Sequence, residues 1–127
     1  MKKKLFVIVL LCLSYVLTAC GGGGASTTID AAFTDFHFVP DAFTIPAGQE
    51  ITINAKNNGA VIHEFVIMKF GDEDESNIFW EVEVDPGGSK TEIFTAPTES
   101  GEYQIVCGTP GHLEAGMIGK LTVGAGK

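Results

Sequence analysis

The stretch CGTPGHLEAGM, residues 107 to 117, sets a thiol, an imidazole and a thioether at equal steps of five in a chain that has 3 Cys, 3 His and 3 Met in all. Cys107, His112 and Met117 descend in ligand strength toward a soft metal ion, from thiolate through imidazole to thioether. Three donors on one loop make an incomplete site, so a fourth must come from elsewhere in the fold. The remaining imidazoles are His37 and His63.

His37 lies in FTDFHFVP, among Phe33, Phe36 and Phe38, and reads as a packed or edge histidine. His63 stands in NNGAVIHEFVI, at the start of a strand that follows a turn. A strand start can approach the 107–117 loop at one end of a β-fold, which favours His63. Two imidazoles and a thiolate then form a trigonal plane with the thioether as a weak axial contact, the arrangement of blue-copper electron transfer. Imidazoles suit both copper oxidation states, and the soft axial sulfur favours the reduced one. Met68, beside Ile67 in a strand, is expected to be core.

The chain begins MKKKLFVIVLLCLSYVLTAC, three lysines followed by an apolar run from Leu5 to Leu17. That run is about 13 residues, short of the roughly 20 a membrane-spanning helix needs, and reads as an export signal. Its LTAC ending resembles the lipobox of bacterial lipoproteins. The resemblance implies cleavage after residue 19 and a lipid on Cys20. The expected organisation is a signal peptide at 1–19, the lipidated Cys20 with a glycine-rich tether at 20–28, and one domain at 29–127. Such a tether spans roughly 15 Å and would hold the domain at the outer side of a cell membrane, periplasmic or extracellular.

Removing the signal changes the charge and the cysteine arithmetic. Five lysines remain against 16 Asp and Glu, with no arginine, a net charge of −11. Nucleic-acid binding by phosphate neutralisation is excluded, whereas a basic protein partner is admissible. Cys12 leaves with the signal and Cys20 is acylated, so Cys107 is the one remaining thiol, with no disulfide partner in an oxidising compartment. A metal would occupy it.

From Ile29 onward no helical period emerges. Runs rich in Val, Ile, Thr and Phe recur near 29–37, 42–46, 50–57, 62–69, 78–84, 89–95, 101–107 and 117–123, separated by turn residues. About eight short strands predict an all-β sandwich or barrel. In EITINAK, Ile51, Ile53 and Ala55 share a face; in GEYQIVC, Tyr103, Ile105 and Cys107 do, so the sulfur should point toward the core. The acidic run Asp72 to Glu75 reads as a solvated loop tip.

With these residues in place, 29–123 resembles a cupredoxin. The resemblance rests on His63 upstream, on Cys107, His112 and Met117 running into MIGKLTV, on FHFVPDAFTIPAGQEITINAKNNG and on GEYQIVC. Four residues between Cys and His, and four between His and Met, are similar to the longer-loop members, auracyanin and rusticyanin, more than to plastocyanin. It implies a single Greek-key sandwich of about eight strands holding one type 1 copper ion through His63, Cys107, His112 and Met117. One departure stands out. Many members carry Asn after the first histidine, where it tethers the cysteine loop, and this chain has Glu64. The carbonyl of Ile62 is a candidate additional axial oxygen.

Two relatives of the site are excluded. A binuclear copper centre needs a second cysteine at position 111, which is glycine, and copper nitrite reductases need two such domains. The expected function is therefore single-electron transfer by a membrane-tethered monomer, without enzymatic activity, between partners such as a cytochrome or a membrane oxidoreductase. His112 would be the exposed edge through which electrons pass. The alternative is copper handling for tolerance, sequestration or delivery.

Overall fold

Alternation of side chains dictates most of the strands. In β4, EITINAKN, the residues Ile51, Ile53, Ala55 and Asn57 are buried, and those between them face outward. In β8, GEYQIV, Tyr103 and Ile105 point inward and continue to the buried Cys107. A computed structural model of the protein describes residues 24–124. The segments expected to be a signal peptide and the start of a tether, with Cys20, lie outside the described residues.

Among the described residues nine strands form two sheets: β1 (Thr28–Thr34), β2 (His37–Val39), β3 (Ala42–Pro46), β4 (Glu50–Asn57), β5 (His63–Lys69), β6 (Trp80–Val84), β7 (Ser89–Thr95), β8 (Gly101–Val106) and β9 (Ile118–Gly124). One sheet has the order β2-β1-β4-β7 and the other β3-β9-β8-β5-β6. Pairing is antiparallel except for β1 with β4 and β3 with β9. The predicted all-β sandwich is observed, with its core of Ile, Phe, Val and Leu between the sheets.

The strand expected at 29–37 is two strands. The chain turns at Asp35 and Phe36 and pairs back on itself, Thr34 opposite His37 and Ala32 opposite Val39. The physical reason lies in the phenylalanines: Phe33 and Phe38 are five positions apart, an odd step, so a single strand would turn one of them outward. The turn lets both enter the core, where Phe38 meets Phe33 and Phe65 edge-on. The strand expected at 78–84 starts at Trp80, after a 3-10 turn at Glu75–Asn77 that ends the exposed acidic loop.

β5 is apolar on both faces. Phe65 and Ile67 enter the main core, while Val66 and Met68 join Val106 on the outer face beneath Ile78 and Leu113. Met68 is thus core, as expected.

All the site-bearing elements converge at one pole. β1 and β4 run in parallel toward it, Phe33 beside Asn57. β5 starts there and β8 ends there, with Val66 opposite Val106. The N-terminal segment enters at the other pole, where Ser26 N–H donates to the Thr44 carbonyl and Thr52 N–H to that of Thr27.

Candidate metal centre

Cys107 follows the last residue of β8, and the loop after it coils through successive turns. His112 N–H donates to the Thr109 carbonyl at 3.1 Å, Ala115 N–H to Gly111 at 3.1 Å and Gly116 N–H to Leu113 at 2.9 Å. The turns need left-handed backbone at Gly111 (φ 85°) and Gly116 (φ 93°), which glycine adopts without a Cβ penalty. The loop then closes on itself. Met117 N–H donates to the His112 carbonyl at 2.9 Å, and Cys107 N–H donates to the Met117 carbonyl at 3.3 Å. Backbone bonds thus join Met117 to both other loop residues, and its side chain is fully buried.

His63, the first residue of β5, completes the group. Its Nδ1 lies 3.8 Å from Cys107 Sγ, and His112 Nδ1 lies 3.4 Å from the same sulfur. The donor atoms of His63, Cys107 and His112 all fall within 4.8 Å of one another, and all three residues are buried. An ion bonded to nitrogen at about 2.0 Å and to sulfur at about 2.3 Å in a trigonal plane sets a nitrogen-to-sulfur edge of roughly 3.7 Å. The two observed edges bracket that value. The donors fit a soft-metal site, and with Met117 they have the arrangement of a type 1 copper site. His37 is exposed on β2, outside the group.

The groups around the donors hold them in place. The Glu64 N–H donates to Cys107 Sγ at 3.4 Å. Asp35 Oδ1 accepts from Ala60 N–H at 3.1 Å and lies 3.4 Å from His63 Nε2. A carboxylate on the outer nitrogen of a ligating imidazole fixes its tautomer and raises its basicity. Burial pushes the His63 pKa down, with Asp35 opposing it in part. The Ala60 N–H, and then His63, hold the Asp35 carboxyl below its ordinary value. Asn57 is fully buried near the start of β5. Its Nδ2 donates to the Val61 and Val84 carbonyls, both at 2.8 Å, and its Oδ1 accepts from Gly59 N–H at 2.8 Å. A Cβ at Gly59 would stand 2.5 Å from His63 Nε2 and 2.6 Å from Asp35 Oδ1, so glycine is required there.

Glu64 reaches the cysteine loop but, among the described residues, its side chain makes no hydrogen bond there of the kind the usual asparagine makes. Its carboxylate lies against Gly108, where any Cβ would collide with it, and burial followed by Glu81, Glu83 and Glu75 raises its pKa. The tether between the two segments comes instead from the Glu64 N–H and from Thr109, whose hydroxyl donates to the Ile62 carbonyl at 2.9 Å. That carbonyl, the candidate axial oxygen, is thus engaged by Thr109.

One expectation about the site is corrected. His112 was to be an exposed edge, but it is only 7% exposed, because the Phe36 ring packs edge-on against it at a centroid separation of 5.1 Å. Sequence reasoning missed Phe36, Asp35, Asn57, Gly59 and Thr109. Of these, only the first two carried a signal, the odd spacing of Phe33 and Phe38 that demands a turn between them.

Residues 5–123 match the family model described as a cupredoxin-like domain. The chain is similar to auracyanin-A of Chloroflexus aurantiacus, at 31% identity over 95% of this chain and 96% of the relative. It is also similar to the copper-resistant cuproprotein CopI of Rubrivivax gelatinosus, at 31% identity over 78% of this chain and 67% of the relative. Among solved structures, the dithionite-reduced auracyanin of Roseiflexus castenholzii superposes with a TM-score of 0.71 and 34% identity, covering 80% of this chain and 99% of that one.

Proposed function

The chain belongs to the cupredoxin-like family, and from that premise we propose that it carries single electrons through one type 1 copper ion held by His63, Cys107, His112 and Met117. The observation that carries the reading is the buried triangle of two imidazole nitrogens and one thiolate sulfur, with edges of 3.4 and 3.8 Å at the sulfur. Copper, when bound, supplies a one-electron couple between its cuprous and cupric states. The chain supplies the rest. Cys107 gives the sulfur donor, which accepts the Glu64 N–H. Asp35 orients His63, Asn57 holds the strand start, and burial of all three donors excludes water. A frame bonded at this many points leaves the donors little room to rearrange when charge changes, which is what rapid electron exchange requires.

A lipid on Cys20 would tether this domain by the pole opposite the donors. Thr52, where the N-terminal segment joins β4, is five residues from Asn57, about 17 Å of strand. The site would face away from the outer leaflet, toward a redox protein such as a cytochrome or a membrane oxidoreductase. A groove on the outer face of the five-stranded sheet supports a basic partner, since Glu64, Glu73, Glu75, Glu81 and Glu114 line it around Val66 and Leu113, with no lysine. The similarity to copper-resistant cuproproteins favours a second reading, in which the same donors store or deliver copper.

The test is a cupric titration of residues 25–127, followed by visible absorption and electron paramagnetic resonance, beside Cys107→Ser. An intense band and narrow hyperfine splitting, both absent in the variant, are expected. A spectrum indifferent to Cys107 would sink the four-donor assignment. Fast one-electron exchange with a cytochrome supports the carrier, and copper release to a chelating acceptor without such exchange supports storage or delivery.

A further inference from the structure

His112 turns Nδ1 toward the Cys107 sulfur, so its opposite edge is the one that would meet solvent. The Phe36 ring packs against the imidazole at a centroid separation of 5.1 Å and an angle of 75°, while remaining 43% exposed itself. A half-exposed phenyl ring thus packs against a donor that is itself only 7% exposed.

Phe36 does not occupy this place at rest. Its φ is 68°, and no other non-glycine residue among those described has a positive φ. For an L-residue this conformation is strained, and it persists only where the surroundings over-determine it. They do so here from both sides. Asp35, before it, is bonded to Ala60 N–H and set against His63. Phe38, after it, is wedged between Phe33 and Phe65, with centroids at 5.6 and 5.5 Å. The same turn thus supplies a carboxylate for one imidazole and a ring for the other.

We propose that Phe36 is the positioning residue for His112: it fixes the plane of the imidazole and closes its outer edge to water and small solutes. The proposal rests on the reading of the site as a one-electron copper centre. A ring held at a strained φ against a buried donor has no role in the core, where Phe33, Phe38 and Phe65 already pack without it.

The test compares the wild type with Phe36→Gly and Phe36→Tyr. Glycine removes the ring and also relieves the left-handed backbone, so loss of folding is not the expected result. Tyrosine restores the ring. In the metal-free protein, carbethoxylation of His112 by diethyl pyrocarbonate is followed by peptide mass mapping, with the exposed His37 as internal reference. The rate at His112 is expected to rise on the order of tenfold in Phe36→Gly, as a buried group becomes accessible, and to return in Phe36→Tyr. In the copper-loaded protein, ferricyanide takes one electron from the reduced centre and becomes ferrocyanide. That oxidation is expected to accelerate in Phe36→Gly, the hyperfine splitting is expected to change, and both are expected to return in Phe36→Tyr. Equal carbethoxylation in all three proteins, or an oxidation rate and spectrum unmoved by loss of the ring, overturns the proposal. A wild type without an intense visible band instead overturns the copper reading, and the carbethoxylation of the metal-free protein still decides whether Phe36 covers His112.

Discussion

The loop from Cys107 to Met117 and the turn at Asp35 and Phe36 flank the same imidazole, yet they are held by different means. The loop is stitched by bonds between near neighbours, with its left-handed positions given to glycine. The turn has a left-handed phenylalanine and is held by remote partners, Asp35 to Ala60 and His63, and Phe38 to Phe65. Donors on a loop of local bonds can be kept at low strain. The groups that orient them are recruited from strands far away in sequence, and their positions depend on the whole sandwich. The loop therefore decides which metal is held, and the frame decides how firmly.

The largest effect that would sharpen this contrast is expected on the frame. Asn57 to Ala leaves the Val61 and Val84 carbonyls and the Gly59 N–H without their partner at a fully buried position. Each unsatisfied buried group costs about 1–3 kcal/mol, so a loss of roughly 2–4 kcal/mol is expected in urea unfolding of the metal-free protein. A loss below about 0.5 kcal/mol, the range of ordinary surface changes, would break the comparison.

Next come two changes beside His63. Gly59 to Ala drives a methyl group onto His63 Nε2 and Asp35 Oδ1 together and must displace one of them. Asp35 to Ala deletes the carboxylate and leaves the imidazole free to turn. Loss of an outer partner typically costs 10–100-fold in metal affinity. About 100-fold is expected for Gly59 to Ala, which moves the donor itself, and about tenfold for Asp35 to Ala, each measured by competition against a copper chelator. The reverse order would mean that the carboxylate contact, rather than the position of the ring, sets the affinity.

The donors were legible in the sequence because their side-chain types are rare and their chemistry is narrow. One thiol, two imidazoles and a thioether in a strand-rich chain leave few other assignments, and the local spacing of Cys107, His112 and Met117 lies within one loop. The strands were legible where one face is wet, as in β4. The turn at Asp35 was not, because Phe33, Phe36 and Phe38 read as one β-rich run until the parity of the buried positions is considered. Asp35 and His63 are 28 residues apart, and no short-range pattern encodes a contact made only when two sheets close. The burial of His112 was hidden for the same reason, since its cover comes from the opposite sheet.

The smallest effect expected is that of pH, and it separates His63 from the carboxylate beside it. Burial lowers the folded-state pKa of His63 beneath its ordinary 6.5. Near pH 7 the ring is largely neutral whether folded or unfolded, so it contributes little there. As pH falls below 6.5 the unfolded chain takes up a proton that the folded chain refuses, and stability is lost. Asp35, also lowered, acts in a separate window: its contribution is present above 3.8 and lost as pH falls through its folded value. Because Asp35 opposes the depression of His63, replacing it with Ala should carry the His63 pKa further down and extend the loss below pH 6.5 to lower pH. Urea midpoints of the metal-free wild type and Asp35→Ala between pH 7 and pH 5 measure this. A midpoint that rises as pH falls would show that the protonated imidazole is the form the fold prefers, and the frame would then be drawing on the Asp35 charge more than on burial.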